Sequence, residues 1–130
     1  MKKAIVVGAS SGIGKEIALS LLRDHYKIGI TGRRINNLEE IKKIDSKNIF
    51  VSSFDCTKES NAKKLDELAK LMGGLDMLVI SSGFGDVNKS LEFSIEDKSN
   101  QLNVVAFTET VGWGFNYFSK QNSGHIVAIS

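Results

Sequence analysis

Three glycines and two serines near the N-terminus form the densest group of residues here with chemical potential. Gly8-Ala9-Ser10-Ser11-Gly12-Ile13-Gly14 follows the apolar run Ala4 to Val7 and runs straight into a helical pattern. Glycines permit positive φ and close approach of backbone to a ligand, and free N–H groups at a helix start attract an anion. The physical inference is phosphate or pyrophosphate binding; a tight strand-to-helix turn, with glycines there for packing alone, is the competing reading. Spacing excludes two other phosphate motifs. A P-loop aligned on Gly14-Lys15 would put Ala9 where the first glycine belongs and Glu16 where a metal-binding hydroxyl belongs. The fingerprint Gly-x-Gly-x-x-Gly fails as well, because three residues separate the first pair of glycines and one separates the second.

The second strand pattern ends Ile30-Thr31-Gly32-Arg33-Arg34. It lies about 20 residues beyond the glycine loop, where an NAD-binding chain carries an acid for the ribose 2′-hydroxyl. Gly32 stands there with no carboxylate beside it, and the guanidiniums of Arg33 and Arg34 suit a 2′-phosphate through charged, bidentate hydrogen bonds. NADP(H) is therefore preferred over NAD(H), against the plainer reading of a basic surface turn. Acid–base groups are scarce. The two tyrosines, Tyr26 and Tyr117, are followed four residues on by Ile30 and Gln121 rather than by lysine. His25 and His125 sit in a helix-to-strand turn and at a strand start without a carboxylate motif, so both read as structural.

These residues must be positioned by strands and helices in alternation. Apolar runs of strand length recur at Ala4 to Val7, Lys27 to Thr31, Ile49 to Ser53, Met77 to Ser81 and His125 to Ile129. Between them Ile13, Ile17, Ala18 and Leu21, then Leu38, Ile41 and Ile44, then Leu65, Leu68, Ala69 and Met72 repeat at helical spacing. Strands without polar alternation, separated by amphipathic helices, indicate an α/β fold with a parallel sheet covered on both faces. A fourth helix, roughly 95 to 118, carries two apolar stripes. One is Val104, Phe107, Val111, Phe115 and Phe118; the other is Leu102, Ala106, Trp113 and Tyr117. Either both meet this chain's own sheet and neighbouring helix, or one meets a partner subunit.

The Gly-x-x-x-Gly-x-Gly spacing with Ala-Ser-Ser inside it resembles the short-chain dehydrogenase/reductase family, and the match recurs downstream. Val7 departs from the threonine that usually opens the family's loop, which removes one loop hydrogen bond. Phe54-Asp55-Cys56-Thr57 resembles the Asp-Val-Thr segment whose aspartate contacts adenine, and Thr57 is free to cap the helix that follows. Asp76-Met-Leu-Val-Ile-Ser-Ser-Gly83 is similar to Asp-x-Leu-Val-Asn-Asn-Ala-Gly, with Ile80 and Ser81 in place of both asparagines. Asn103 takes the place of the helix asparagine whose backbone helps hold a water in the proton relay.

The resemblance implies a Rossmann-like doubly wound sheet of strand order 3-2-1-4-5. It implies cofactor-binding roles for Gly8, Ser10, Ser11, Gly12, Ile13, Gly14, Arg33, Arg34, Asp55, Cys56, Ser81, Ser82 and Gly83. The closing run Gly124 to Ser130 matches the family's fifth strand, which leads into the catalytic serine and then Tyr-x-x-x-Lys. Ser130 aligns with the serine before the catalytic one, or with the catalytic one after a one-residue slip. Asn103 and Ser130 are thus the catalytic candidates present, and residues 1–130 are expected to be one dinucleotide-binding domain truncated after its fifth strand. The implied activity is hydride transfer between NADP(H) and a small carbonyl or alcohol substrate, in a homodimer or homotetramer joined through the fourth helix. The alternative is a non-catalytic nucleotide-binding module or subunit completed by another chain.

Bulk properties agree with one cytoplasmic domain and narrow its partners. Lys and Arg total 17 against 15 for Asp and Glu, a surplus too small and too scattered for a nucleic-acid surface. No apolar stretch approaches the ~20 residues needed to span a bilayer, and the N-terminal run is too short for a signal peptide. No metal-ligand spacing occurs, and the single cysteine, Cys56, cannot form an internal disulfide.

Overall fold

The computed structural model describes residues 1–10, 12–56, 58–81 and 93–129, with residues 93–103 described by their backbone alone. Each Val/Ile-rich run is a strand and each amphipathic run a helix. In order they are β1 (Lys3–Val7), α1 (Gly12–Arg23), β2 (Lys27–Gly32), α2 (Ile35–Lys42), β3 (Ile49–Ser53), α3 (Asn61–Met72), β4 (Met77–Ile80), α4 (Phe93–Gln121) and β5 (His125–Ala128). The strands form one parallel sheet of order β3-β2-β1-β4-β5. This is the order expected above.

Alternation along the strands builds two cores. Ile5 and Val7 of β1 and Leu78 and Ile80 of β4 face α3 and α4, where Leu65, Leu68, Met72, Ala106 and Phe118 cover them. Val6 and Val79 point the other way, under Ala18 of α1 and Leu38 and Ile41 of α2. Burying both faces explains why the strands lack polar alternation, since each apolar side chain removed from water contributes about 1.5–3 kcal/mol. Two helical positions read as apolar from spacing are instead exposed, Ile13 beside the glycine loop and Ile44 just past the end of α2.

The packing of α4 differs from either stripe read in the sequence. Its sheet-facing row is Ala106, Thr110, Gly114 and Phe118, all buried at four-residue spacing. A Cβ at Gly114 would lie 2.6 Å from Leu78 Cδ2, so the helix axis comes too close to β4 for a larger residue. Val104, Phe107 and Phe115 of the first stripe are exposed, while Phe118 belongs to the buried row. Trp113 and Tyr117 turn toward α3, their ring centroids 5.2 Å apart. Among the described residues no helix is long and apolar enough to cross a membrane.

Candidate functional site

Strand register brings the relevant loops to one level. Val7 pairs with Thr31 on one side and with Ile80 on the other, and Gly32 pairs with Ser53. The turns after β1, β2, β3 and β4 therefore start side by side at the C-terminal ends of the strands. On this order β1 is also the strand at which successive connections reverse direction, where open α/β sheets bind their ligands.

Gly8 leaves β1 with φ 82°, and its N–H donates to the Thr31 carbonyl at 3.1 Å and to Thr31 Oγ1 at 3.3 Å. Ala9 N–H donates to the same carbonyl at 2.8 Å. The hydroxyl missing at Val7 is thus delivered to the loop from the neighbouring strand, a contact the sequence reading did not foresee. Gly12 opens α1 at φ 63°, and a Cβ there would meet nothing within 4 Å. Gly14 is the reverse case. Its Cβ would lie 2.0 Å from the Gly8 carbonyl oxygen and 3.1 Å from Ser81 Oγ. The first turn of α1 is seated directly on the loop, with its open side at Gly12.

Ser10 packs against the end of β2, where a Cβ on Gly32 would lie 3.0 Å from its own. Arg33 and Arg34 follow, both exposed. Arg34 holds the N-cap position of α2 with an extended backbone and no side-chain cap, and no acidic residue occupies that helix's first turn. A groove of about 960 Å³ opens from the loop between α1 and α2, lined in part by Ser10, Gly12, Ile13, Lys15 and Asn37.

After β3 the chain turns at Asp55, whose carbonyl accepts the N–H groups of Lys58 and Glu59, each at 3.0 Å. Phe54 N–H reaches the Gly32 carbonyl at 3.0 Å and Ser53 Oγ the Arg33 carbonyl at 3.3 Å, joining this turn to the arginine turn. Burial, reinforced by the Asp55 charge, pushes the Cys56 thiol above its ordinary pKa, with Arg33 acting weakly in the opposite sense. That keeps it a protonated packing group and not a nucleophile. Thr57, read from sequence as the cap of the next helix, lies outside the described residues. The cap of α3 is Ser60, whose hydroxyl accepts from Lys63 N–H at 3.3 Å.

Ser81 ends β4 buried, its N–H on the Val7 carbonyl at 3.1 Å. It stands where the resembled pattern has an asparagine, close against the glycine turn. The structure therefore gathers Gly8, Ser10, Gly12, Ile13, Gly14, Arg33, Arg34, Asp55, Cys56 and Ser81 around the strand ends. Ser11, Ser82, Gly83 and Ser130 lie outside the described residues, and Asn103 is placed on α4 by its backbone alone.

The open glycine turn, the adjacent guanidiniums and the acid-free second strand suit the phosphates of a nicotinamide dinucleotide. Comparison with known proteins identifies the family. The profile of the short chain dehydrogenase family matches residues 2–130. An uncharacterized oxidoreductase of Listeria monocytogenes is 35% identical over 99% of this chain and 54% of its own length. A glucose 1-dehydrogenase of Gluconobacter oxydans is 34% identical over 74% of this chain and 38% of its own. Among solved structures, a β-ketoacyl-ACP reductase of Bacteroides thetaiotaomicron superposes with a TM-score of 0.83 at 26% identity, covering all of this chain and 60% of that one. An alcohol dehydrogenase of Thermococcus sibiricus, complexed with 5-hydroxy-NADP, gives 0.81 at 25% over 98% of this chain and 57% of that one. The chain thus spans about half the length of the curated relatives it matches along its whole extent.

Proposed function

Since the chain belongs to the short chain dehydrogenase family, we propose that residues 1–130 are the dinucleotide-binding domain of an NADP(H)-dependent oxidoreductase acting on a small carbonyl or alcohol substrate. The observation that carries the cofactor is the paired geometry of Gly12 and Gly14, one open to a ligand and one closed on Gly8. When bound, the nicotinamide gives or takes a hydride. The residues present here bind and orient it. Amides of the turn 8–14 and the start of α1 hold the pyrophosphate, Arg33 and Arg34 the 2′-phosphate, and Asp55 with the Cys56 backbone the adenine. Ser81 faces the nicotinamide side through its backbone, and Ser82 and Gly83 are assigned to the same role by their place in the family's pattern alone. Asn103 serves the proton relay through its carbonyl, and Ser130 stands at or next to the catalytic serine.

Preference for NADP(H) rests on two facts, the missing carboxylate at the end of β2 and two exposed guanidiniums at an uncapped helix start. Calorimetric titration should give at least about tenfold tighter binding of NADP(H) than of NAD(H). Arg33→Ala should remove about tenfold of that preference, the worth of one hydrogen bond to a charged group. Equal affinities in the wild-type protein, or a preference untouched by the substitution, would refute the assignment.

The exposed face of α4 supports the proposed homo-oligomer. Val104, Val105 and Phe115 are each more than 60% exposed on one helix, an apolar run of the kind that subunit contacts cover. Phe115→Glu should shift the protein toward monomer in light scattering while leaving the helical content of the subunit unchanged by circular dichroism. Identical monomeric masses before and after the change would rule the contact out.

A further inference from the structure

Between the adenine turn and α4 sits a buried asparagine with no part in the sites described so far. Asn61, the first residue of α3, is 0% exposed. Its Nδ2 donates at 3.3 Å to the Cys56 carbonyl and at 3.3 Å to the Ala106 carbonyl. Both partners are acceptors, which fixes the orientation of the amide, and its Oδ1 has no hydrogen-bond partner among the described residues. A buried amide with one unsatisfied oxygen is costly to keep, so the two bonds from its nitrogen must matter to the local structure.

The two bonds are not equivalent. The Ala106 carbonyl also accepts Thr110 Oγ1 at 2.8 Å, so it stays satisfied without Asn61. For the Cys56 carbonyl, Asn61 is the one donor found among the described residues. The amide therefore fastens the turn 54–56 onto α4, and loss of the amide releases the turn more than the helix. A second bond at the same junction, from Ala62 N–H to Glu109 Oε1 at 3.1 Å, joins α3 to α4; Glu109 acts on the turn only through its charge, which raises the Cys56 thiol pKa slightly.

We propose that Asn61 is a positioning residue for the adenine end of the cofactor, holding the Asp55-Cys56 turn in its binding shape by anchoring the Cys56 carbonyl to α4. This rests on the functional reading above, in which that turn receives adenine. A leucine of similar size at this position would keep the volume and lose the donor.

The test uses the full-length protein, titrated calorimetrically with NADP(H) and with adenosine 2′,5′-bisphosphate, which carries the adenine end alone. Asn61→Leu should weaken both by about tenfold, the worth of one buried hydrogen bond that shapes the turn. Glu109→Ala should lower the thermal midpoint through the loosened α3–α4 junction while leaving both affinities within about twofold. If leucine prevents folding, Asn61→Ser, which keeps a single donor, should fall between wild type and that tenfold loss. Equal weakening by Asn61→Leu and Glu109→Ala would reduce Asn61 to a structural residue and overturn the proposal. So would unchanged affinity in the Asn61 variants. Failure of the wild-type protein to bind any nicotinamide dinucleotide would overturn the functional reading and this inference together, whereas binding that ignores Asn61 overturns this inference alone.

Discussion

Gly14→Ala is expected to weaken dinucleotide binding about 100-fold or more. The new Cβ would stand 2.0 Å from the Gly8 carbonyl oxygen and 2.9 Å from its carbonyl carbon, both backbone atoms that cannot rotate aside. Gly8 cannot retreat either, because its N–H and that of Ala9 are held by Thr31 on the next strand. The clash must then be relieved by lifting the start of α1 away from the turn, which moves the amides that would face the pyrophosphate. Displacements near 1 Å in such a preorganised site cost about 100-fold, and overpacking itself costs about 1–3 kcal/mol of stability. Calorimetry should show affinity for NADP(H) reduced about 100-fold or more, with a thermal midpoint several degrees lower. Gly12→Ala makes the matched comparison. It meets nothing within 4 Å and should cost only the roughly 1–2 kcal/mol of a left-handed backbone, yet it places a methyl group on the loop's open side. An alanine at position 14 that binds NADP(H) normally would mean that the turn is not the phosphate site.

The 130 residues by themselves are expected to reduce no aldehyde or ketone and to oxidise no secondary alcohol. Hydride delivery to a carbonyl leaves an oxyanion that needs a positioned proton donor, and each such group is worth about 10² to 10⁴ in rate. Neither tyrosine can serve. Tyr26 lies in the turn between α1 and β2, at the opposite end of the strands from the glycine loop. Tyr117 is flanked by Trp113 and Phe118, and burial, followed by the charges of Asp66 and Asp76, pushes its phenol above the ordinary value. A donor assisted by lysine requires the opposite shift. These 130 residues, their mass verified, should give no change in nicotinamide absorbance above background across a panel of carbonyls and alcohols. Saturable turnover by them would reveal a donor other than the tyrosines. A product of the whole gene, of whatever length, that binds cofactor without turnover would favour the non-catalytic nucleotide-binding module.

Much of the scaffold was legible because it depends on local pattern. Five apolar runs at strand length, spaced by helical repeats, predict a doubly wound sheet whatever the detailed packing, and the strand boundaries fall within a residue or so of those read from the sequence. The glycine spacing located the turn because backbone conformation at Gly8 and Gly12 demands residues without a Cβ. The absence of a carboxylate after β2 and of lysine after either tyrosine are likewise facts of composition and spacing, independent of the fold.

Contacts between distant segments were decided only in three dimensions. The sheet-facing row of α4 is small and partly polar, Ala106, Thr110 and Gly114 before Phe118, so apolar spacing pointed to the bulkier neighbouring faces. Close approach of helix to sheet selects small side chains, and hydrophobicity does not register that requirement. Thr31 reaching Gly8, and Asn61 spanning Cys56 and Ala106, escaped for a related reason. Each is an ordinary polar residue in its own segment, and its role exists only where parallel strand register and the α3–α4 junction bring chain positions 23 and 45 residues apart into hydrogen-bond range.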